Sequence, residues 1–262
     1  MDTALDTGTP GIRPFVPAHC GGWPFLDHEH DPRRLLTAVA CVRFARRDGP
    51  LPAPTAQDLA AVLTPAEALR IRALDLPKPL PAGTLIPHRQ AQVDQTVRLI
   101  AELIPDWAPL LSALPLVYVP MPAGRASVSA SCFAWPQHVL LADAAFTSPA
   151  VLAEQTLHET FHQWLYLCEE LASLHHPGCT RRITLPSGTS GRSLAELLGA
   201  AHVTVGLARM WPLLDVPAHV RDQRLERLDA YRRGCLRLIG HARPCLTDHG
   251  HALADRILEA SA

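Results

Sequence analysis

The feature that most constrains this chain is His158-Glu159-Thr160-Phe161-His162, set inside EQTLHETFHQWLY. On an α-helix, positions i and i+4 share a face, so both imidazoles can turn a ring nitrogen toward one ion. Glu159 is rotated by about a third of a turn. From there it reaches the ion's open side, where it can take a proton from bound water. The pattern demands a well-supported helix, and the flanking residues provide one. Ser148-Pro149 reads as cap and first-turn proline, and Val151, Leu152, Leu157, Phe161, Leu165 and Leu167 form an apolar surface. A helix through the metal site argues against a jelly roll, in which strands carry the ligands.

The rest of the chain is read around that helix. LPLVYVP (114–120) and HVLLAD (138–143) are short strands, and PAGRASVSASCFAWPQ between them is a loop or ragged hairpin. Helical spacing runs over 33–46, 55–75 and 88–104, the last with Val93, Val97, Ile100 and Ile104 on one stripe. Thr64-Pro65-Ala66-Glu67 looks like a capping box and divides 55–75 into two helices. Prolines throughout LPKPLPAGTLIP (76–87) exclude regular structure there. The motif helix is expected to run to about Leu174, with a loop at TLPSGTSG (184–191). A further helix begins at Ser193, and 216–260 forms a C-terminal helical hairpin. The expected fold is α+β and mostly helical, with a small sheet packed on a metal-binding HExxH helix. The expected organisation is an irregular arm and helical part (1–80), a catalytic core (81–215) and a C-terminal helical segment packed on that core (216–262).

Composition removes several function classes. A chain of 262 residues can bury a substantial core, as one large domain or two small ones. A formal charge of -1 with 48% apolar residues gives no electrostatic reason to bind nucleic acid or an anionic membrane. The run LLTAVACV (35–42) is far too short to span a bilayer. MDTALDTGTP lacks the basic and apolar regions of a secretory signal, so a cytoplasmic protein is expected. The seven cysteines (20, 41, 132, 168, 179, 235, 245) are scattered without a C-x-x-C pair and read as reduced thiols.

Two imidazoles need a third ligand. Glu196 fits the spacing of the glutamate-type zinc peptidases, whereas His202 lies six residues later and points elsewhere. QWLYLC after His162 excludes the HExxHxxGxxH type. Ser129 and Ser131 alternate as on a strand edge, either as polar loop positions or where an extended peptide pairs. Trp135 and Trp164 belong to the core or a pocket wall. Arg181 and Arg182 are a carboxylate-binding pair or a solvated loop, and Arg209 lies near the face of His202. His28 and His30 in FLDHEHDP read as solvated, and Cys168 as packing.

The segments SASCFAWPQHVLLAD, VLAEQTLHETFHQWLYL and GRSLAELLGAAHVTVGLARMW resemble the HExxH-motif peptide-modification family over roughly 115–215. These are 2-oxoglutarate-dependent peptide β-hydroxylases of ribosomal peptide natural product clusters. The matched positions are the two motif histidines, Arg192-Ser193-Leu194 and the run from His202 to Ala208. The resemblance implies that His158, His162 and His202 bind iron(II), with Glu159 as a ligand or as a base that orients water. It implies that Arg192 grips the distal carboxylate of 2-oxoglutarate, for which a guanidinium fork is suited. The substrate would be a ribosomal precursor peptide, and a co-encoded peptide maturase a partner. Gln163-Trp164 and the interruption at His175-His176-Pro177 depart from the family pattern. Two readings stand beside it. One is a zinc metallopeptidase with Glu159 as general base and Glu196 as ligand; the other is a non-catalytic, metal-bearing peptide-binding subunit of a maturase.

Overall fold

Capping residues set where most helices begin. In the computed structural model, which describes residues 17–49, 53–125 and 127–261, Asp31 accepts from Arg33 N and opens α1 (Pro32–Asp48). The segment MDTALDTGTP lies outside the described residues. Thr55 and Asp58 form a reciprocal capping box that starts α2 (Ala56–Val62). The box expected at Thr64 is not made: that hydroxyl donates back to Ala61 O, and α3 (Pro65–Asp75) starts on its proline alone. Glu67 turns instead to Arg70 and Arg47. No regular structure occurs from 76 to 86, as the prolines require. Then α4 (Pro87–Leu103) and α5 (Ala108–Ala113) follow.

Three strands make one sheet of order β1-β3-β2. Here β1 is Val117–Pro120, β2 Ser129–Ala130 and β3 His138–Leu141. The two expected strands run parallel, with Val117 opposite His138, and the described residues between them are loop apart from the two of β2. A parallel pair needs a crossover, and the serine-rich connection supplies it, leaving β2 antiparallel on the far side of β3. The sheet packs against α6 (Pro149–Leu171). Ser148 caps α6 through Val151 N as expected, and the helix ends at Leu171, where Ala172 turns extended. Beyond it lie α7 (Leu194–Met210), α8 (Ala218–Ala242) and α9 (Asp248–Glu259). The protein is thus α+β and mostly helical. None of the described helices is long and apolar enough to cross a membrane.

The centre of the core is the crossing of α6 and α7. A Cβ at Gly206 would stand 1.9 Å from Phe161 Cζ, so only glycine lets the two helices meet there. Phe161 also stacks on Phe25, centroids 4.0 Å apart, and Phe25 holds a left-handed φ of 64° to do so. One apolar cluster joins Phe25, Leu35, Ile100, Phe161, Leu207 and Ile257, so all three stretches of chain share it.

A polar network anchors α6 from its other side. Arg43 pairs both oxygens of Glu170 and also donates to Val62 O and Gln137 Oε1. Gln137, fully buried, continues to Leu63 O and Pro115 O, and its N–H donates to Gln163. These contacts fix α6 in rotation, and so set the direction of its partly buried stripe.

The cysteines need one correction. Cys179 and Cys245 form a disulfide across 66 residues, whereas all seven were read as reduced. Their approach follows from backbone pairing that spacing cannot reveal: His176 N donates to Cys245 O, and Thr247 N to Leu174 O.

Candidate metal centre

Along α6 a single stripe is only partly buried: Gln155, His158, His162, Tyr166 and Glu169. Steps of three and four residues put these side chains on one face. The Nε2 atoms of His158 and His162 face each other at 3.2 Å. With metal–nitrogen bonds of about 2.0–2.1 Å, that separation subtends about 100° at a shared ion, so the pair fits a metal. Burial, then the neighbouring His158, His202 and Arg192, holds the His162 pKa well below its usual value. The ring is therefore neutral, which is the form that ligates.

Glu159 is buried beside this pair and held from the sheet. Ser129 donates to its Oε1 and Ser131 to its Oε2, both at 2.6 Å. Ser129 lies in β2 and Ser131 one residue past its end, and the two hydroxyls reach one carboxylate. Ser129 also stands 2.7 Å from the Gln155 amide. Its hydroxyl faces both the Gln155 amide oxygen and Glu159, while the Gln155 amide nitrogen turns to Glu154.

Helix α7 forms the opposite wall. Gly199 lies against His162, where a Cβ would come 3.1 Å from Nδ1. One turn earlier, Glu196 closes a capping box with Ser193 and accepts from Arg192 at 2.6 Å. The alternative third ligand and the candidate carboxylate-binding arginine therefore hold each other. Burial and then the charge of Glu196 lift the Glu169 carboxyl to about 8. His202 is on the face of α7 that packs against Phe161, ring centroids 4.9 Å apart. Its Nε2 meets Pro24 O at 2.8 Å, and since a carbonyl only accepts, Nε2 carries the proton. Nδ1 is buried and has no partner among the described residues. Among the described residues, no group of three or more His, Cys, Asp or Glu stands close enough to hold an ion.

The burial of His202 has a measurable consequence. Burial, chiefly, brings its pKa from 6.5 to about 4. Between those values the unfolded chain binds the extra proton, so this stability is complete above about pH 6.5 and lost as pH falls through 4. His202 alone accounts for about 3 kcal/mol over that window, and burial lowers His30 and His162 in the same direction. Urea unfolding of metal-free protein should show stability falling from pH 7 to 4. His202→Gln should flatten that fall by roughly the same amount; an unchanged slope would contradict the assignment.

The other expected residues are dispersed. Trp164 is wholly in the core, while Trp135 lies under Lys78 and donates to Lys78 O. Arg209 donates to Phe25 O and covers Trp107, so with His202 it fastens the segment around Phe25 to α7. Arg181 donates to His241 O and Arg182 is exposed. His28 is exposed, but His30, expected in solvent, is buried with Nδ1 on Gly22 O. Cys168 is buried packing. Tyr166 escaped the sequence reading, although its spacing from His162 repeats that between the two histidines. No protein-family model and no curated protein matches the chain.

Proposed function

We propose that the chain is an iron(II)- and 2-oxoglutarate-dependent oxygenase that hydroxylates a side chain, at its β-carbon, of a ribosomally made precursor peptide. The observation that carries the reading is the His158/His162 pair on the open stripe of a buried helix, Nε2 atoms 3.2 Å apart. His158 and His162 are its ligands. His202 is the third through Nδ1, the nitrogen that Pro24 leaves free, with Glu196 as the alternative. Iron(II) bound there with 2-oxoglutarate supplies oxygen activation and hydrogen abstraction from the peptide.

The chain's own groups orient the reactants. Arg192 already holds one carboxylate, that of Glu196, and is partly exposed. The distal carboxylate of 2-oxoglutarate takes that place. Arg181, Arg182 and Arg209 are the less favoured choices, because Arg181 donates to His241 O, Arg209 donates to Phe25 O and Arg182 is exposed. Glu159, fixed by Ser129 and Ser131, orients water or a neighbouring imidazole. The edge beside β2 receives the extended peptide, with Trp135 near it. In this reading the sheet covers a metal helix, an arrangement unlike a jelly roll. The protein works in the cytoplasm, alongside a co-encoded peptide maturase.

A zinc metallopeptidase is the second reading, and one observation favours it. Both Glu159 oxygens are fixed beside the histidine pair, as a general base requires. One assay separates the two. Protein prepared without air receives iron(II), 2-oxoglutarate, oxygen and the co-encoded peptide, and succinate and peptide mass are measured. The oxygenase adds one oxygen and forms succinate; zinc-dependent cleavage without 2-oxoglutarate would sink it. Arg192→Ala should raise the 2-oxoglutarate requirement about 10- to 100-fold while iron stays bound, in line with a lost charged hydrogen bond.

A further inference from the structure

We propose that the Cys179–Cys245 bridge is a redox site, opened by a cellular dithiol, that sets the order of the loop carrying Arg192. Its effect on 2-oxoglutarate rests on the role given to Arg192 above. The bridge ties the loop between α6 and α7 to the turn between α8 and α9. Neither cysteine is buried, and a bridge at the surface is the kind that thiols exchange with. In the cytoplasm, the compartment proposed above, a disulfide is more often a redox sensor than a permanent staple.

What the bridge controls follows from the other ties on the loop. The first part is fastened without it: His176 N donates to Cys245 O, Thr247 N to Leu174 O, and the Thr247 hydroxyl to Ser173 O. From Pro177 to Arg192 the ties are few. Ile183 is the one buried residue of that stretch, Arg181 donates to His241 O, and Pro186 lies against Gly234. Ile183 exchanges two backbone hydrogen bonds with Arg192, at 2.8 and 3.0 Å. Cys179 stands four residues before Ile183, so the bridge steadies the segment on which Arg192 is paired. Opening it loosens 177–192 and spares the ties at 173–176. In that exchange a dithiol attacks one bridge sulfur as thiolate, the S–S bond breaks, and the second thiol resolves the mixed disulfide. Two electrons and two protons pass to the protein, which leaves two cysteine thiols and an oxidised dithiol.

Dithiothreitol is the probe, applied to folded, full-length protein. Iodoacetamide labelling should modify Cys179 and Cys245 after dithiothreitol and neither before it, with the far-UV circular dichroism unchanged. Trypsin then reports on the loop, because Arg181 and Arg182 are exposed in it. In reduced, alkylated and desalted protein, cleavage after them should be about tenfold faster, as loss of a chain constraint allows. Cys179→Ser should be cut at that faster rate with or without prior dithiothreitol. Reduction should weaken 2-oxoglutarate binding to the iron(II)-loaded protein about three- to tenfold, the cost of ordering one long side chain. A bridge that dithiothreitol opens only in denaturant is a structural staple and overturns the inference, as do equal cleavage rates in the two states. Faster cleavage with unchanged 2-oxoglutarate affinity overturns the coupling to Arg192. Protein that binds no 2-oxoglutarate in either state overturns the role of Arg192 instead, and labelling and cleavage still decide the redox site.

Discussion

Arg43→Met is expected to destabilise the protein by about 3–5 kcal/mol, the range for removing one partner of a buried ion pair. Both side chains of the Arg43–Glu170 pair are almost wholly buried, at 1% and 3% exposure. Methionine fills similar volume but leaves Glu170, Gln137 Oε1 and Val62 O without their donor. Arg72, 3.2 Å from Glu170, compensates only in part, because it lies in a different direction and burial already lowers its own pKa. At this chain length the loss lowers the melting temperature by roughly 10 °C. Glu170→Gln in the same background should cost less than the sum of the single changes, since both remove one interaction. A loss under about 1 kcal/mol for Arg43→Met would mean that the pair is solvated in solution.

What the sequence displays about this molecule is mainly what depends on neighbours within a few residues. The start of α6 at Ser148-Pro149 and that of α7 at Ser193 are local chemistry: a hydroxyl meeting an N–H two or three residues on. The facing of His158 and His162 follows from the same 3.6-residue geometry. The expected box at Thr64 does not form, because its hydroxyl donates back to Ala61 O and Glu67 is taken by Arg47 and Arg70. Long-range pairing was not legible. The parallel β1–β3 contact and the meeting of Ser129 with Glu159, 30 residues on, depend on how the 121–137 connection crosses the sheet. The Cys179–Cys245 bridge depends on how the C-terminal hairpin returns beside residues 174–176. His202 shows both limits: its helix was legible, but its hydrogen bond to Pro24 spans 178 residues.

His162→Ala is the second change of large expected effect, and it leads to the measurement that bears most directly on the metal centre. The two Nε2 atoms form the pair that fits one ion, and His162 is kept neutral by its surroundings. Removing either ring leaves one motif imidazole and the proposed third ligand, His202, with Glu196 held by Arg192. Nothing then replaces the lost bond. The loss should be nearly complete, because two ligands left on separate helices hold a divalent ion too weakly to survive desalting. The fold should survive, since His162 lies on the partly exposed stripe and its alanine fits within the helix. The decisive measurement is the metal content of anaerobically loaded, desalted protein by elemental analysis, with circular dichroism to confirm folding. Wild type should carry about one iron(II) per chain, and His158→Ala and His162→Ala essentially none. Wild-type protein that emerges free of metal, or a folded His162→Ala variant that holds as much as wild type, would contradict the account.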